Sequence, residues 1–162
     1  MRLGARSLKF AVMIAGALAL GACAKNAADD GMGALGSAPA GSIQEFNASV
    51  GDRVFFESDS SQLTPQGTAT LDKQASWLSR YQQYSILVEG HADERGTREY
   101  NFALGAQRAQ AARDYLTSRG VAASRLRTTS YGKERPVAVC NDISCWSQNR
   151  RAVTVLGGGA SS

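Results

Sequence analysis

The sequence predicts an α/β fold of the βαβαββ kind, an α+β sandwich in which one mixed sheet has helices packed on one face. Two observations predict it. Short apolar, β-prone runs alternate with two stretches whose apolar residues recur at three- and four-residue steps, and the last two such runs follow one another directly.

Taken in order, Val54, Phe55 and Phe56 make the first strand. Thr64 followed by Pro65 is a helix start, an N-cap with proline at the first helical position, and Leu71, Ala75, Trp77 and Leu78 supply the buried face. Ile86, Leu87 and Val88 read as a buried second strand, with Glu89 to Gly96 as the loop leaving its carboxyl end. Thr97 is the N-cap of a long second helix, Glu99 sits in its positive first turn, and Leu104, Ala111, Ala112, Tyr115 and Leu116 follow at helical spacing. Gly120 with Val121 behind it is a C-cap with its hydrophobic contact. Leu126 to Tyr131 gives a third strand and Ala152 to Leu156 a fourth, joined by a connection that holds Cys140, Cys145 and Trp146. There is no internal repeat.

The domain so delimited covers residues 50–157, enough for one core. Before it, Arg2, Arg6 and Lys9 precede an apolar run from Phe10 to Leu20, closing on Leu20-Gly21-Ala22-Cys23. That is a secretory leader over 1–22, too short to span a bilayer. Cysteine after Leu-Gly-Ala resembles a lipobox, which implies cleavage before Cys23 and lipidation of its sulfur and new amino terminus. Ala24, where bacterial lipoproteins retained at the inner membrane commonly carry aspartate, points to the outer membrane, with the domain in the periplasm. Residues 23–49 read as a lipidated terminus and flexible tether, rich in Ala, Gly, Ser and Asn, with a root-mean-square span of about 28 Å and a reach of roughly 90 Å. Residues 158–162 read as a disordered tail.

Charge and cysteine content exclude several classes. The chain has 18 Lys and Arg against 14 Asp and Glu, but three cations lie in the leader, leaving 15 against 14. Without a cationic excess there is no case for a nucleic-acid partner; Arg125, Arg127, Arg150 and Arg151 read as a locally basic, solvated face. Cys140 and Cys145 are an even pair in an oxidising compartment, so a small disulfide loop is expected. Their spacing fits neither a zinc site nor a redox pair, and His91, Asp93 and Glu94 are too close in one loop to converge on a metal without a second histidine. His91 reads as structural. Neither a Gly-x-Ser-x-Gly elbow nor a late histidine is present for a serine hydrolase. No cofactor, metal or catalytic residue is expected, and the chain does not read as an enzyme.

The stretch EGHADERGTREYNFALGAQRA, Glu89 to Ala109, carries the recognition chemistry. Asn101, Leu104, Arg108 and Ala112 fall on nearly one line of the helix, which directs Arg108 inward or along the rim, where it needs an anionic partner. Asp93 is the candidate, in two ways. The pair forms a structural salt bridge, or the two face one ligand, Arg108 gripping a carboxylate and Asp93 an ammonium, as a zwitterion would require.

The segment EGHADERGTREYN, the helix pattern of Asn101, Leu104, Arg108, Ala109 and Leu116, the turn Ser130-Tyr131-Gly132-Lys133-Glu134-Arg135-Pro136 and the closing Asn149-Arg150-Arg151-Ala152-Val153 resemble the OmpA-like peptidoglycan-binding domain family, over Val54 to Leu156. The resemblance implies noncovalent binding of peptidoglycan through the diaminopimelate of its stem peptide, the ammonium going to Asp93 and the carboxylate to Arg108. Backbone N–H groups around Arg95 to Arg98, with Thr97, would supplement the carboxylate contacts. Phe56 and Glu57 would line the pocket after the first strand, with Leu104 and Asn101 supporting its wall. Glu57 and Ser58 depart from the aspartate and apolar residue usual in the lipid-anchored branch, whereas Gly105 matches that branch. That branch implies TolB as a periplasmic partner, with TolA and other outer-membrane proteins beside it, within the Tol-Pal system that links outer membrane to cell wall and supports envelope integrity and cell division. The competing readings are an OmpA-like lipoprotein outside Tol-Pal and a lipid-anchored hydrolase.

Overall fold

The computed structural model describes residues 38–158; the expected leader, Cys23, and the tether up to residue 37 lie outside them, as does the tail beyond residue 158. Four helices, α1 (Ile43–Glu45), α2 (Pro65–Arg80), α3 (Arg98–Ser118) and α4 (Ile143–Asn149), accompany four strands, β1 (Arg53–Phe55), β2 (Ser85–His91), β3 (Leu126–Gly132) and β4 (Arg151–Gly157). The sheet order is β1-β4-β2-β3, with β2 and β3 parallel and the other pairs antiparallel. The sheet is therefore mixed, with the parallel pair bridged by the long helix α3, as a parallel connection requires.

One covered face is legible in the strands. Ile86, Val88 and Gly90 are buried while Leu87 and Glu89 between them are only partly covered, and Ala152, Thr154 and Leu156 repeat the pattern on β4. Against that face pack Leu71, Ala75 and Leu78 of α2 and Ala109, Ala112 and Leu116 of α3. The caps form as the sequence predicts. Thr64 accepts from the Gly67 amide at 3.0 Å, Thr97 from Tyr100 at 3.2 Å, and Gly120 at φ +92° lets the Val121 amide return to Leu116.

Three features depart from the sequence reading. β2 runs on through Glu89 and Gly90 to His91, where a loop is expected, because β3 continues beside it and Gly90 can lie against α3. A Cβ on Gly90 would fall 1.8 Å from the Gly105 carbonyl oxygen. The β3–β4 connection contains α4, N-capped by Asp142, whose carboxylate accepts from the Ser144 amide at 2.7 Å, and the Cys140–Cys145 disulfide closes around that cap with Cα atoms 5.6 Å apart. Only Cys145 and Asn149 of α4 are buried, too few to leave a periodic apolar signal.

The third departure concerns the boundary at residue 50. The unit that holds the sheet includes residues from Ala38 on, and an arm formed by α1 and a π-helical turn, Phe46–Val50, closes over α2. Phe46 is fully buried against Trp77, ring centroids 5.0 Å apart. The Trp77 indole donates to Glu45 at 2.8 Å and the Tyr84 hydroxyl to the Gly41 carbonyl at 2.7 Å. The arm's composition resembles a linker because one aromatic residue and a few hydrogen bonds hold it. Buried Gln74 ties it in further, donating to the Gly51 carbonyl at 2.6 Å and accepting from Thr154 at 2.7 Å.

Candidate functional site

Three segments converge beyond the carboxyl ends of β1 and β2: the loop from Phe56 to Ser60, the loop from Ala92 to Thr97, and the residues entering β4. α3 supplies the floor. Gly96, at φ +86°, turns the second loop into α3, and buried Asn101 fixes that turn by donating to the carbonyls of Arg95 at 2.7 Å and Thr97 at 3.1 Å. Leu104, one turn on, is buried beneath it. Thr97 is spent on capping α3.

Arg108 is the largest fully buried side chain among the described residues. Its inward direction follows the predicted line of Asn101, Leu104 and Ala112, all of them buried. No salt bridge joins it to Asp93. Instead Nε donates to the Ser60 carbonyl at 2.8 Å, Nη1 to His91 at 2.8 Å and Nη2 to Glu57 at 3.1 Å, while the Phe56 ring lies 5.3 Å from the guanidinium carbon. A guanidinium has more N–H groups than these bonds use, so one on each terminal nitrogen remains. Burial, then the charge of Arg150, pushes the Arg108 pKa down to about 10, which leaves it cationic at neutral pH. Its two carbonyl partners in the first loop flank Asp59, whose φ of +52° is one that aspartate adopts more readily than most residues.

Asp93 is buried, 6 % exposed, and its partners are arginines other than the one expected. Arg95 reaches it with Nε to Oδ1 at 3.0 Å and Nη2 to Oδ2 at 2.7 Å, and the Arg95 amide adds a third bond at 3.2 Å. Arg150 approaches Oδ2 at 3.3 Å. Burial raises the Asp93 pKa, but the hydrogen bonds and charge of Arg95, with Arg150, outweigh it and hold the carboxyl below its usual range.

Arg150 is the residue that sequence reasoning misses, and with Arg151 it corrects the expected solvated basic face. Both are 5 % exposed. Arg150 donates to the Phe56 carbonyl at 2.9 Å and Arg151 to the carbonyls of Asn149 and Arg135. Arg125 likewise turns inward, onto the carbonyls of Leu78 in the last turn of α2 and of Tyr81 and Tyr84 beyond it. The pairing of Phe56 with Arg150, each amide or guanidinium meeting the other's carbonyl, is a sheet-edge interaction across 94 residues, which local spacing does not reveal. Glu57 enters through its backbone, and its side chain is exposed.

The site therefore gathers Arg95, Arg108 and Arg150 around one carboxylate, with Glu57, Asp59 and Glu94 on exposed ground at its rim. Such a set of groups can pair with charged groups of either sign. Among the described residues no cluster of His, Cys, Asp and Glu could hold a metal.

The OmpA family matches residues 55–150. The peptidoglycan-associated lipoprotein of Mesorhizobium japonicum is 62 % identical over 149 residues, which cover 89 % of this chain and 89 % of that one. Among solved structures, the peptidoglycan-associated lipoprotein from Burkholderia pseudomallei superposes with a TM-score of 0.66 at 42 % identity, covering 68 % of this chain and 96 % of that one. The C-terminal domain of Helicobacter pylori MotB shares the fold at a TM-score of 0.62 and 22 % identity, over 66 % of this chain and 84 % of that one. The match spans Asp93 and the three arginines around it, and with 62 % identity over nine-tenths of the length the chain belongs to the OmpA family, among the peptidoglycan-associated lipoproteins.

Proposed function

We propose that this chain binds peptidoglycan noncovalently through the diaminopimelate of its stem peptide, at the site formed by Asp93, Arg108 and Arg150. The observation that carries this reading is a buried carboxylate and a fully buried arginine with N–H groups to spare, brought to one place by the loops that follow β1 and β2 and rimmed by exposed charged side chains. Such a pair suits a zwitterion, the ammonium meeting Asp93 and the carboxylate Arg108. Phe56 forms the apolar backing, the amides from Arg95 to Arg98 lie at the positive end of α3, and Asn101, Leu104 and Thr97 hold that end in place. The name that its relatives carry supports peptidoglycan as the polymer bound. The protein acts as a binding module without catalytic residues.

The wider assignment follows from it. With residues 1–22 removed as a leader and Cys23 lipidated, the chain is anchored in the outer membrane with its domain in the periplasm. Binding of peptidoglycan then links that membrane to the cell wall. TolB is proposed as a partner, with TolA and other outer-membrane proteins, within the Tol-Pal system that maintains the envelope during division.

Asp93→Asn keeps shape and removes charge. It should weaken co-sedimentation with diaminopimelate-type sacculi by about tenfold or more, the value of a charge-assisted hydrogen bond, with an unchanged near-ultraviolet circular dichroism spectrum. Sacculi of the lysine type, whose residue lacks the second carboxylate, should bind the unsubstituted protein more weakly. Equal retention of both proteins on both sacculi would remove the site.

A further inference from the structure

Arg95 has a place that zwitterion binding at Asp93 does not explain. Its guanidinium covers the carboxylate bidentately, and Nη2 also reaches the Ser58 hydroxyl at 2.7 Å. The Arg95 side chain is 42 % exposed, whereas that of Asp93 is 8 % exposed. The solvent-facing partner of the pair is thus the cation, and it occupies the position an incoming ammonium would need. The side chain of Arg150, the other cation on Asp93, is 6 % exposed and pinned to the Phe56 carbonyl, so it stays. Only Arg95 can vacate.

A second contact, already made in this state, is one it can keep on leaving Asp93. The Arg95 guanidinium carbon lies 4.4 Å from the centroid of the Trp146 ring, within cation–π range. The Trp146 indole N–H donates to the Glu94 carboxylate, and the residue before it, Cys145, is tied to Cys140. Trp146 is therefore held on two sides at the rim of the site. Asp59 and Glu94 add negative charge that reinforces the arginine's position.

We propose that Arg95 is a specificity latch: it occupies Asp93 until a ligand ammonium displaces it, and Trp146 then keeps the released guanidinium at the mouth of the site to share with Arg108 the carboxylate on the same ligand carbon. The latch deepens the diaminopimelate reading and rests on it. A ligand that brings only an ammonium breaks a bidentate ion pair and returns no anion to Arg95. A zwitterionic centre breaks the same pair and restores it with its own carboxylate. Arg95 thereby discriminates a diaminopimelyl centre from a simple amine, while the disulfide loop serves as the support of Trp146.

The test is calorimetric titration of the full chain in detergent with two tripeptides, one carrying diaminopimelate and one carrying lysine at the third position, for the unsubstituted protein and for Arg95→Gln, Trp146→Leu and Asp93→Asn. The unsubstituted protein should prefer the diaminopimelyl peptide. Arg95→Gln should narrow that preference by about tenfold, with the lysyl peptide binding more tightly than before, since no latch opposes it. Trp146→Leu should shift the ratio in the same direction by less. If Arg95→Gln weakens both peptides equally, or alters neither, the latch is wrong while the site stands, provided Asp93→Asn still abolishes the preference. If Asp93→Asn binds both peptides as the unsubstituted protein does, the site itself falls.

Discussion

His91 shows what burial does to a single group at the end of β2. It is 2 % exposed, neither ring nitrogen has a hydrogen-bond partner, and its ring packs on Tyr131 with centroids 5.6 Å apart. Glu89 is 3.7 Å from Nε2, too far for a hydrogen bond. Burial first, then the charges of Arg151 and Arg135, pushes the His91 pKa down from 6.5 to about 4. The unfolded chain consequently binds a proton that the folded chain refuses between those values. Stability is full above pH 6.5 and falls as pH drops towards 4, by roughly 3 kcal/mol from this group. His91→Phe should flatten that part of the stability profile in urea unfolding between pH 7 and 4; an unchanged slope would mean that His91 is not what titrates. The structural role of His91 was legible from its lack of a companion ligand. Arg108 was legible in direction, from the helical line of Asn101 and Leu104, and opaque in partner, because the carbonyls it meets lie 17 to 51 residues away.

At the scale of elements, the approach of α3 to the sheet depends on two glycines. A Cβ on Gly105 would meet the Ser130 hydroxyl at 2.5 Å and the Gly90 carbonyl oxygen at 2.9 Å, and one on Gly90 would penetrate the α3 backbone. Backbone cannot yield as a flexible side chain can. Gly90→Ala should therefore destabilise the domain by about 3 kcal/mol or more in denaturant unfolding, at the upper end of overpacking costs. Since α3 carries Arg108 and the strand leads to Asp93, the same contact sets the spacing of the site. The caps Thr64 and Thr97, the C-terminal glycine of α3 and all four strands could be read from sequence, because each is a local signal of residue type at fixed spacing. α4 could not, since its order comes from an aspartate cap and a disulfide instead of an apolar face, although the cysteine pair itself foretold the loop.

The unit that carries the sheet begins earlier than its composition implies. Phe46 and Trp77 bind the arm over α2, so Phe46→Ala should cost about 3 kcal/mol, and a chain starting at Val50 should melt well below one starting at Ala38. Equal melting temperatures for those two truncations would return residues 38–49 to the tether. The core between Val54 and Leu156 was predictable because many residues vote for it. A single aromatic in a polar stretch casts one vote, and tertiary packing decides it.

The arm also has a mechanical meaning. It is fastened by Gly41 to Tyr84, just before β2 starts, whereas Asp93 stands just after β2 ends. If the chain is held at its amino terminus by a membrane and at Asp93 by the wall, tension enters and leaves at opposite ends of β2. That strand is flanked on both sides, by β3 and β4, so tension between its two ends runs along its own covalent backbone, while the two ladders keep it extended and aligned within the sheet. The strand that positions the site is thus also the member best placed to bear the strain between two layers that move apart.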